Sequence, residues 1–157
     1  MDPPVALRLR HVSVVRDGRH LLHDVSLDVG AGERWVVLGR NGSGKTTLVR
    51  VASLALHPSS GTVEVLGERL GRTDVRTLRT RIGLVSAALA DQLRPALTAE
   101  EVVRCGRTAA LEPWWHTYTA EDTARAVALL TQLGCGALAD RTFGTLSEGE
   151  RKRAVIA

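Results

Sequence analysis

The chain has 157 residues, of which 44% are hydrophobic, which is enough for one ordinary domain with a buried core. Its formal net charge is +4, but the arginines are scattered and only 3% of the residues are aromatic. This composition argues against nucleic acid as a partner, because binding single strands needs a continuous basic groove and stacking aromatics. No apolar run approaches the length of a membrane span, and we expect no signal peptide.

The first predicted element is an antiparallel hairpin. Residues 6–15 are rich in Leu and Val, Asp17-Gly18 supplies a turn, and residues 20–29 alternate apolar and polar side chains. The apolar run at residues 34–38 is typical of a parallel strand buried on both faces. We therefore expect antiparallel strands to flank a parallel core.

A glycine-rich loop follows this run and leads into a predicted helix. It fits the Walker A pattern G-x-x-x-x-G-K-[ST], with the residues Gly39, Arg40, Asn41, Gly42, Ser43, Gly44, Lys45, Thr46 and Thr47. Glycines let backbone N–H groups approach an anion, and the N-terminus of the next helix adds positive potential. Lys45 would reach the β- and γ-phosphates of a nucleotide, and the Thr46 hydroxyl would be a ligand of Mg²⁺. The alternative is an accidental glycine-rich turn, and we predict nucleotide binding.

The predicted elements then continue to the end of the chain. Strands are indicated at residues 62–67 and 82–85, with a short basic helix at 73–81 between them. From Thr98 to Leu138 the pattern is helical, with caps predicted at Thr98 and Thr119 and an interruption at residues 113–116. The thiols of Cys105 and Cys135 have no metal-binding spacing, so we expect them to be structural and unpaired, in a reducing compartment.

The segment Leu146-Ser147-Glu148-Gly149-Glu150 has two interpretations. On its own, Ser147-x-x-Glu150 is a capping box that opens a helix. Downstream of a Walker A loop, the segment resembles the L-S-G-G-Q signature of ATP-binding-cassette (ABC) ATPases. The order of elements over nearly the whole chain is similar to the nucleotide-binding domain of that family. The resemblance implies an α/β fold, with a P-loop NTPase core, an antiparallel β flank and a helical subdomain at about 98–145 within a domain covering 1–157.

The resemblance also implies a function. The chain would be the ATP-binding subunit of an ABC transporter, working with ATP and Mg²⁺ at the cytoplasmic face of the cell membrane beside a membrane-spanning subunit. Two such domains would pair head to tail, so that Ser147 and the Gly149 backbone approach the γ-phosphate held by the partner's Lys45. The alternatives are a soluble ABC ATPase without a transport role, and a nucleotide-binding fragment without turnover.

Several residues depart from the family pattern. Glu148 and Glu150 replace Gly and Gln of the signature, and we expect Glu148 to point away while Glu150 caps the helix. Arg16 stands where the family usually has an aromatic residue that stacks on adenine. Its guanidinium plane can stack on a base, or it can be a solvated turn residue. Ser86 and Ala87 stand where the family has its Q-loop glutamine, for which Gln92 is a weak substitute.

The family's Walker B aspartate, catalytic glutamate and switch histidine all follow the signature, and all five histidines of this chain precede it. We therefore expect the chain to be the front part of an ABC domain, with no catalytic residue and no ATP hydrolysis of its own. By the same resemblance, a central strand beside residues 34–38 would lie beyond Ala157. Without that strand we expect residues 34–38 to face water, and Val155 and Ile156 to lack a strand to pack on.

Overall fold

The computed structural model of the protein describes residues 5–157. The chain divides into two compact units, one ending at Ile82 and the other covering Gly83–Ala157. None of the helices in the described part of the chain is long and apolar enough to cross a membrane.

The first unit is built on a four-stranded antiparallel sheet with the order β2-β1-β3-β4. The strands are β1 (Val5–Arg16), β2 (Arg19–Gly30), β3 (Ser60–Val65) and β4 (Glu68–Arg69). The predicted hairpin is confirmed: Asp17 and Gly18 both have positive φ, 49° and 72°, as a two-residue turn between twisted strands requires.

The pairing of β1 with β2 is irregular near this turn. Val15 lies opposite His20, and Val14 lies opposite Leu22, so Leu21 is an extra residue on β2. Such a bulge breaks the strict alternation of faces and bends the strand locally. It therefore determines where His20 and Leu21 lie relative to the rest of the unit.

Two helices complete the first unit. Helix α1 (Lys45–Ala52) follows the glycine-rich loop, and the short helix α2 (Val75–Arg79) is capped by the Asp74 side chain. Burial of apolar side chains from the sheet and both helices supplies the main stabilisation of this unit. Its core consists of Leu9, Val12, Val14, Leu22, Val51, Leu54, Val63, Val65 and Leu78.

The second unit is helical. It contains α3 (Ala87–Ala90), α4 (Ala99–Gly106), α5 (Ala120–Gln132) and α6 (Glu148–Ile156), with 3₁₀ turns at Gly136–Leu138 and Phe143–Thr145. The caps predicted at Thr98, Thr119 and Ser147 are confirmed, and each is a full capping box. The predicted helical stretch is divided by a loop at residues 107–119. Both cysteines are free and buried, as expected for structural thiols.

Two predicted strands are wrong. Residues 34–38 and 82–85 form no strand within residues 5–157. An apolar run becomes a strand only when a neighbour accepts and donates its backbone hydrogen bonds, and neither segment pairs with any described strand. Trp35, Val36, Val37 and Leu38 are 57%, 80%, 42% and 87% exposed, as we expected for this run without a partner strand.

The two apolar residues at the end of α6 differ in their exposure. Ile156 is half exposed, but Val155 packs against the core of the second unit. That core contains Leu97, Val102, Leu130, Phe143 and Leu146. Val155 therefore finds apolar partners in its own unit, where the described residues contain no strand for it to pack on, as expected.

Candidate phosphate-binding site

The glycine-rich loop has the backbone conformation that its sequence predicts. Gly42 and Gly44 have φ of 80° and 89°, in the left-handed region that disfavours other residues. A Cβ at Gly44 would lie 2.6 Å from the Leu21 carbonyl oxygen and 2.9 Å from Leu22 Cδ2. Glycine at position 44 therefore allows the start of α1 to sit directly against strand β2.

Lys45 holds the loop closed. Its Nζ donates hydrogen bonds to the Gly39 and Arg40 carbonyl oxygens, each at 2.8 Å. The Ser43 amide donates to the Arg40 carbonyl at 3.2 Å. A Cβ at Gly39 would meet the Ser43 hydroxyl oxygen at 2.7 Å, so Gly39 also allows a close approach. The Lys45 ammonium thus holds the start of the glycine-rich loop close to the start of α1.

The N-terminus of α1 carries no cap from a side chain. Gly44 is the N-cap residue, and the first turn of the helix contains no acidic residue. The N–H groups of Lys45, Thr46 and Thr47 have no acceptor within the helix, because every α-helix leaves its first N–H groups without one. These donors and the positive end of the helix favour an anion.

A pocket of about 350 Å³ lies over this N-terminus. It is lined by His20, Leu21, Asn41, Gly42, Ser43, Gly44, Lys45, Thr46 and Thr47. Gly39 and Arg40 do not line the pocket, and their carbonyl groups position Lys45 instead. Among residues 5–157 no carboxylate lines the pocket, so none of these residues repels a phosphate group there.

His20 and Leu21 were missed by the sequence analysis. The bulge at Leu21 and the contact with Gly44 bring this part of β2 to the loop. The only signal in the sequence was that both residues follow directly after a tight turn, and a turn does not reveal a bulge.

Arg16 lies at the end of β1, opposite Arg19, and does not line the pocket. Its guanidinium donates to the carbonyl oxygens of Val15 at 3.0 Å and His57 at 3.5 Å. The Arg16 side chain is exposed.

The signature segment lies in the second unit. Leu146 is buried, Ser147 is the N-cap of α6, and Glu148 and Gly149 are exposed. The Ser147 amide donates to Glu150 Oε2 at 2.7 Å, the Ser147 hydroxyl donates to the same oxygen at 2.8 Å, and the Glu150 amide donates back to the hydroxyl at 3.4 Å. The predicted capping role of Glu150 is therefore confirmed.

This capping box also affects the charge on Glu150. The hydrogen bond from the Ser147 amide, and then the one from its hydroxyl, hold the pKa of the Glu150 carboxyl below its ordinary value. The carboxylate is therefore ionised at neutral pH and lies at the start of α6.

The residues near the predicted Q-loop are engaged locally. Ser86 is the N-cap of α3 and its hydroxyl accepts from the Leu89 amide at 3.0 Å. The Gln92 side chain donates to the Ala88 carbonyl at 3.0 Å. Gln92 thus bonds back to helix α3, which it follows.

Similarity to known proteins identifies the family of this chain. A family model described as ABC transporter matches residues 22–157. The chain belongs to the ABC transporter family. An uncharacterised ABC transporter ATP-binding protein of Bacillus subtilis (strain 168), YlmA, is 41% identical over 152 residues, which are 96% of this chain and 57% of that protein.

Other members of the family carry more specific names. The phosphonates import ATP-binding protein PhnC of Anaeromyxobacter dehalogenans (strain 2CP-C) is 37% identical over 161 residues, covering 99% of this chain and 32% of that protein. A solved structure described as the dimeric structure of MJ0796, a bacterial ABC transporter cassette, has a TM-score of 0.80 at 23% identity, covering 96% of this chain and 67% of that one. The fold is therefore that of an ABC cassette, an α/β P-loop NTPase, and this chain spans about 57% of the length of the YlmA protein it matches.

Proposed function

We propose that this chain belongs to the ATP-binding subunit of an ABC transporter, and that it binds ATP with Mg²⁺. The observation that carries the proposal is the uncapped N-terminus of α1, which faces a pocket that no carboxylate of the described residues lines. The names of the relatives, which are ATP-binding proteins of transporters, support a role in transport.

The residues of the pocket fit a nucleoside triphosphate. Gly42 and Gly44 keep the loop free of Cβ atoms at the two positions with positive φ, so that backbone N–H groups are open to the phosphates. An ammonium has three donors, and Lys45 uses two of them on the Gly39 and Arg40 carbonyls. One donor is thus left for a phosphate oxygen.

Mg²⁺ also fits this site. Thr46 lines the pocket, and its hydroxyl would be a single protein ligand. Mg²⁺ keeps several waters and takes substrate phosphates as ligands, so it does not need a cage of protein carboxylates. When bound, the ion would supply positive charge against the phosphates, in addition to that of Lys45.

Adenine would lie toward the end of the hairpin, where Arg16 is exposed. Support comes from β2, which runs from Arg19, beside Arg16, to the pocket wall at His20 and Leu21. In this proposal the guanidinium of Arg16 stacks on the base in place of an aromatic ring.

The partners follow from the family. We propose that two copies pair head to tail, with Leu146, Ser147, Glu148, Gly149 and Glu150 facing the nucleotide of the other copy, and that a membrane-spanning subunit holds the pair at the cytoplasmic face. The cassette structure described as dimeric supports pairing in general. We also propose that residues from about 98 to 145 form a helical subdomain within the domain.

We further propose that the chain of 157 residues binds ATP without turning it over. Hydrolysis needs a carboxylate or an equivalent group that positions the attacking water. In the part of the chain that the structure describes, no Asp or Glu lines the pocket, which supports binding without turnover.

The test of nucleotide binding is a direct titration of the chain with ATP and Mg²⁺. Lys45→Met should abolish most of the binding, because it removes the lysine ammonium that lines the pocket. Lys152→Met is the matched control, since Lys152 is the other lysine and is exposed on α6. Equal affinity for Lys45→Met and wild type would refute the proposed site.

The same titration tests Arg16. Arg16→Ala should weaken binding by on the order of 1 kcal/mol, while Arg16→Tyr should preserve it. Equal affinities for all three forms would make Arg16 a surface residue only.

The absence of turnover is tested by a separate assay of phosphate release with Mg-ATP. Release should stay at background, and release that depends on Lys45 would overturn the proposal that the chain binds ATP without hydrolysing it.

A further inference from the structure

One wall of the phosphate pocket belongs to strand β2 rather than to the glycine-rich loop. His20 and Leu21 form this wall, and neither is part of the Walker A pattern. Leu21 is the extra residue of the bulge. A Cβ atom at Gly44 would lie only 2.6 Å from the Leu21 carbonyl oxygen. Backbone packing therefore fixes this wall against the start of α1.

His20 is the polar side chain of that wall. It is exposed, and its ring nitrogens make no hydrogen bond to any of residues 5–157. The ring meets the His23 ring edge to face, with centroids 4.8 Å apart and planes at 79°. His20, whose imidazole is exposed, thus lines the same pocket as the open N–H groups of α1.

The polar groups of the pocket indicate which kind of ligand His20 can bind. A neutral imidazole always has one N–H donor, and the imidazolium has two. The other polar groups of the pocket are the Lys45 ammonium, the backbone N–H groups, and the side chains of Asn41, Ser43, Thr46 and Thr47. An anion is the ligand that complements such a set of donors.

We propose that His20 is a further nucleotide-binding residue, which donates a hydrogen bond from its imidazole to a phosphate oxygen of the bound nucleotide. This inference rests on the proposed function, because it places His20 in the same site. His23 positions the ring through the edge contact and does not itself line the pocket.

The experiment compares ATP with inorganic tripolyphosphate, which has the phosphates but neither sugar nor base. Wild type, His20→Ala, His20→Gln and His20→Glu are titrated with each ligand, using the chain of 157 residues. His116→Ala is the matched control, since His116 is an exposed imidazole in the second unit. Circular dichroism of each variant checks that the fold is kept.

His20→Ala should weaken binding of both ligands by a similar factor, roughly three- to tenfold, as expected for one hydrogen bond. His20→Gln should recover part of the affinity because its amide is a donor, and His20→Glu should weaken binding most because its carboxylate repels phosphate. His116→Ala should bind as wild type does. If His20→Ala unfolds the chain, the comparison of His20→Gln with His20→Glu carries the test.

Two results would overturn the role of His20 and leave the proposed function standing. One is unchanged affinity of all His20 variants while Lys45→Met abolishes binding. The other is weaker binding of ATP with unchanged binding of tripolyphosphate, which would assign His20 to the sugar or base. Absence of any binding by the wild-type chain would overturn both proposals together.

Discussion

Helices α1 and α6 both begin at a segment to which the family resemblance assigns phosphate binding, but their N-termini are built differently. Helix α1 begins after Gly44, with no side-chain cap and no acidic residue in its first turn. Helix α6 begins after Ser147, whose side chain and backbone are bonded to Glu150 in a capping box. The first N-terminus is open to an external anion, and the second already holds an anion of its own.

The comparison shows what a capping residue decides. A side-chain oxygen at an N-terminus satisfies free N–H groups and stabilises the helix, but it occupies the place that a ligand would take. A glycine at the same position stabilises less and leaves the N–H groups free. For the proposed dimer, the Glu150 carboxylate would have to leave Ser147 before that hydroxyl could donate to a phosphate.

The largest expected effect comes from Gly44→Ala, which places a methyl group at the N-cap position of α1. The left-handed φ of 89° costs an alanine about 1–2 kcal/mol, and its Cβ would also collide with the backbone of Leu21. Stability should fall by at least this amount, and ATP affinity should fall at least about tenfold, a change of 1.4 kcal/mol in binding free energy. Denaturant unfolding and ATP titration measure the two effects.

Gly149→Ala is the matched control in the other helix. A Cβ at Gly149 meets nothing within 4 Å, so this alanine should be neutral or stabilise α6 by about 0.5–1 kcal/mol. Similar losses of stability in both variants would contradict the comparison, because they would show that position 44 has no special geometry.

An intermediate effect is expected from removing the cap of α6 with Ser147→Ala. Loss of an N-cap hydroxyl costs typically about 1 kcal/mol, and thermal unfolding by circular dichroism would show it as a lower midpoint. Ser43→Ala is the control, because the Ser43 side chain caps no helix although it lies beside one. An equal loss for Ser43→Ala would mean that the two N-termini do not differ in capping.

The smallest effect concerns pH and the charge on Glu150. Because the pKa of this carboxyl is lowered in the folded chain, its contribution to stability is fully present above the ordinary value of 4.5. That contribution is lost as the pH falls through the lowered folded value. Glu150→Gln should therefore reduce the acid-induced loss of stability while keeping a cap.

The measurement is the thermal midpoint of both forms from pH 7 to about pH 2, below the ordinary range of carboxyl groups. The loss should be reduced rather than abolished, because the Thr119 amide likewise lowers the pKa of Asp122, and the Thr77 hydroxyl and Arg76 amide lower that of Asp74. Identical curves for wild type and Glu150→Gln would refute the link between this cap and acid stability.

The parts of the fold that depend on neighbouring residues were predictable. The hairpin turn at Asp17-Gly18, the glycine-rich loop, and the caps at Thr98, Thr119 and Ser147 each rest on a few consecutive side chains. Their geometry is determined locally, so a short pattern is enough to predict them.

The errors concern features that depend on a distant part of the chain. Residues 34–38 have the composition of a buried strand, but a strand also needs a partner, which composition does not reveal. His20 and Leu21 reach the pocket through a bulge in the pairing of β1 with β2. A bulge changes the register by one residue, and the alternation pattern of β2 gave no sign of it.

The exposure of Trp35 has an optical consequence. Its indole is 57% exposed, donates a hydrogen bond to Glu33 Oε2 at 2.7 Å, and precedes Gly39 by four residues. A solvated indole emits at longer wavelength than a buried one and is readily quenched by dissolved acrylamide. With Trp114 and Trp115 replaced by Phe, the fluorescence of Trp35 becomes a built-in reporter of this run: any chain that covers residues 34–38 shifts the emission to shorter wavelength and protects it from the quencher.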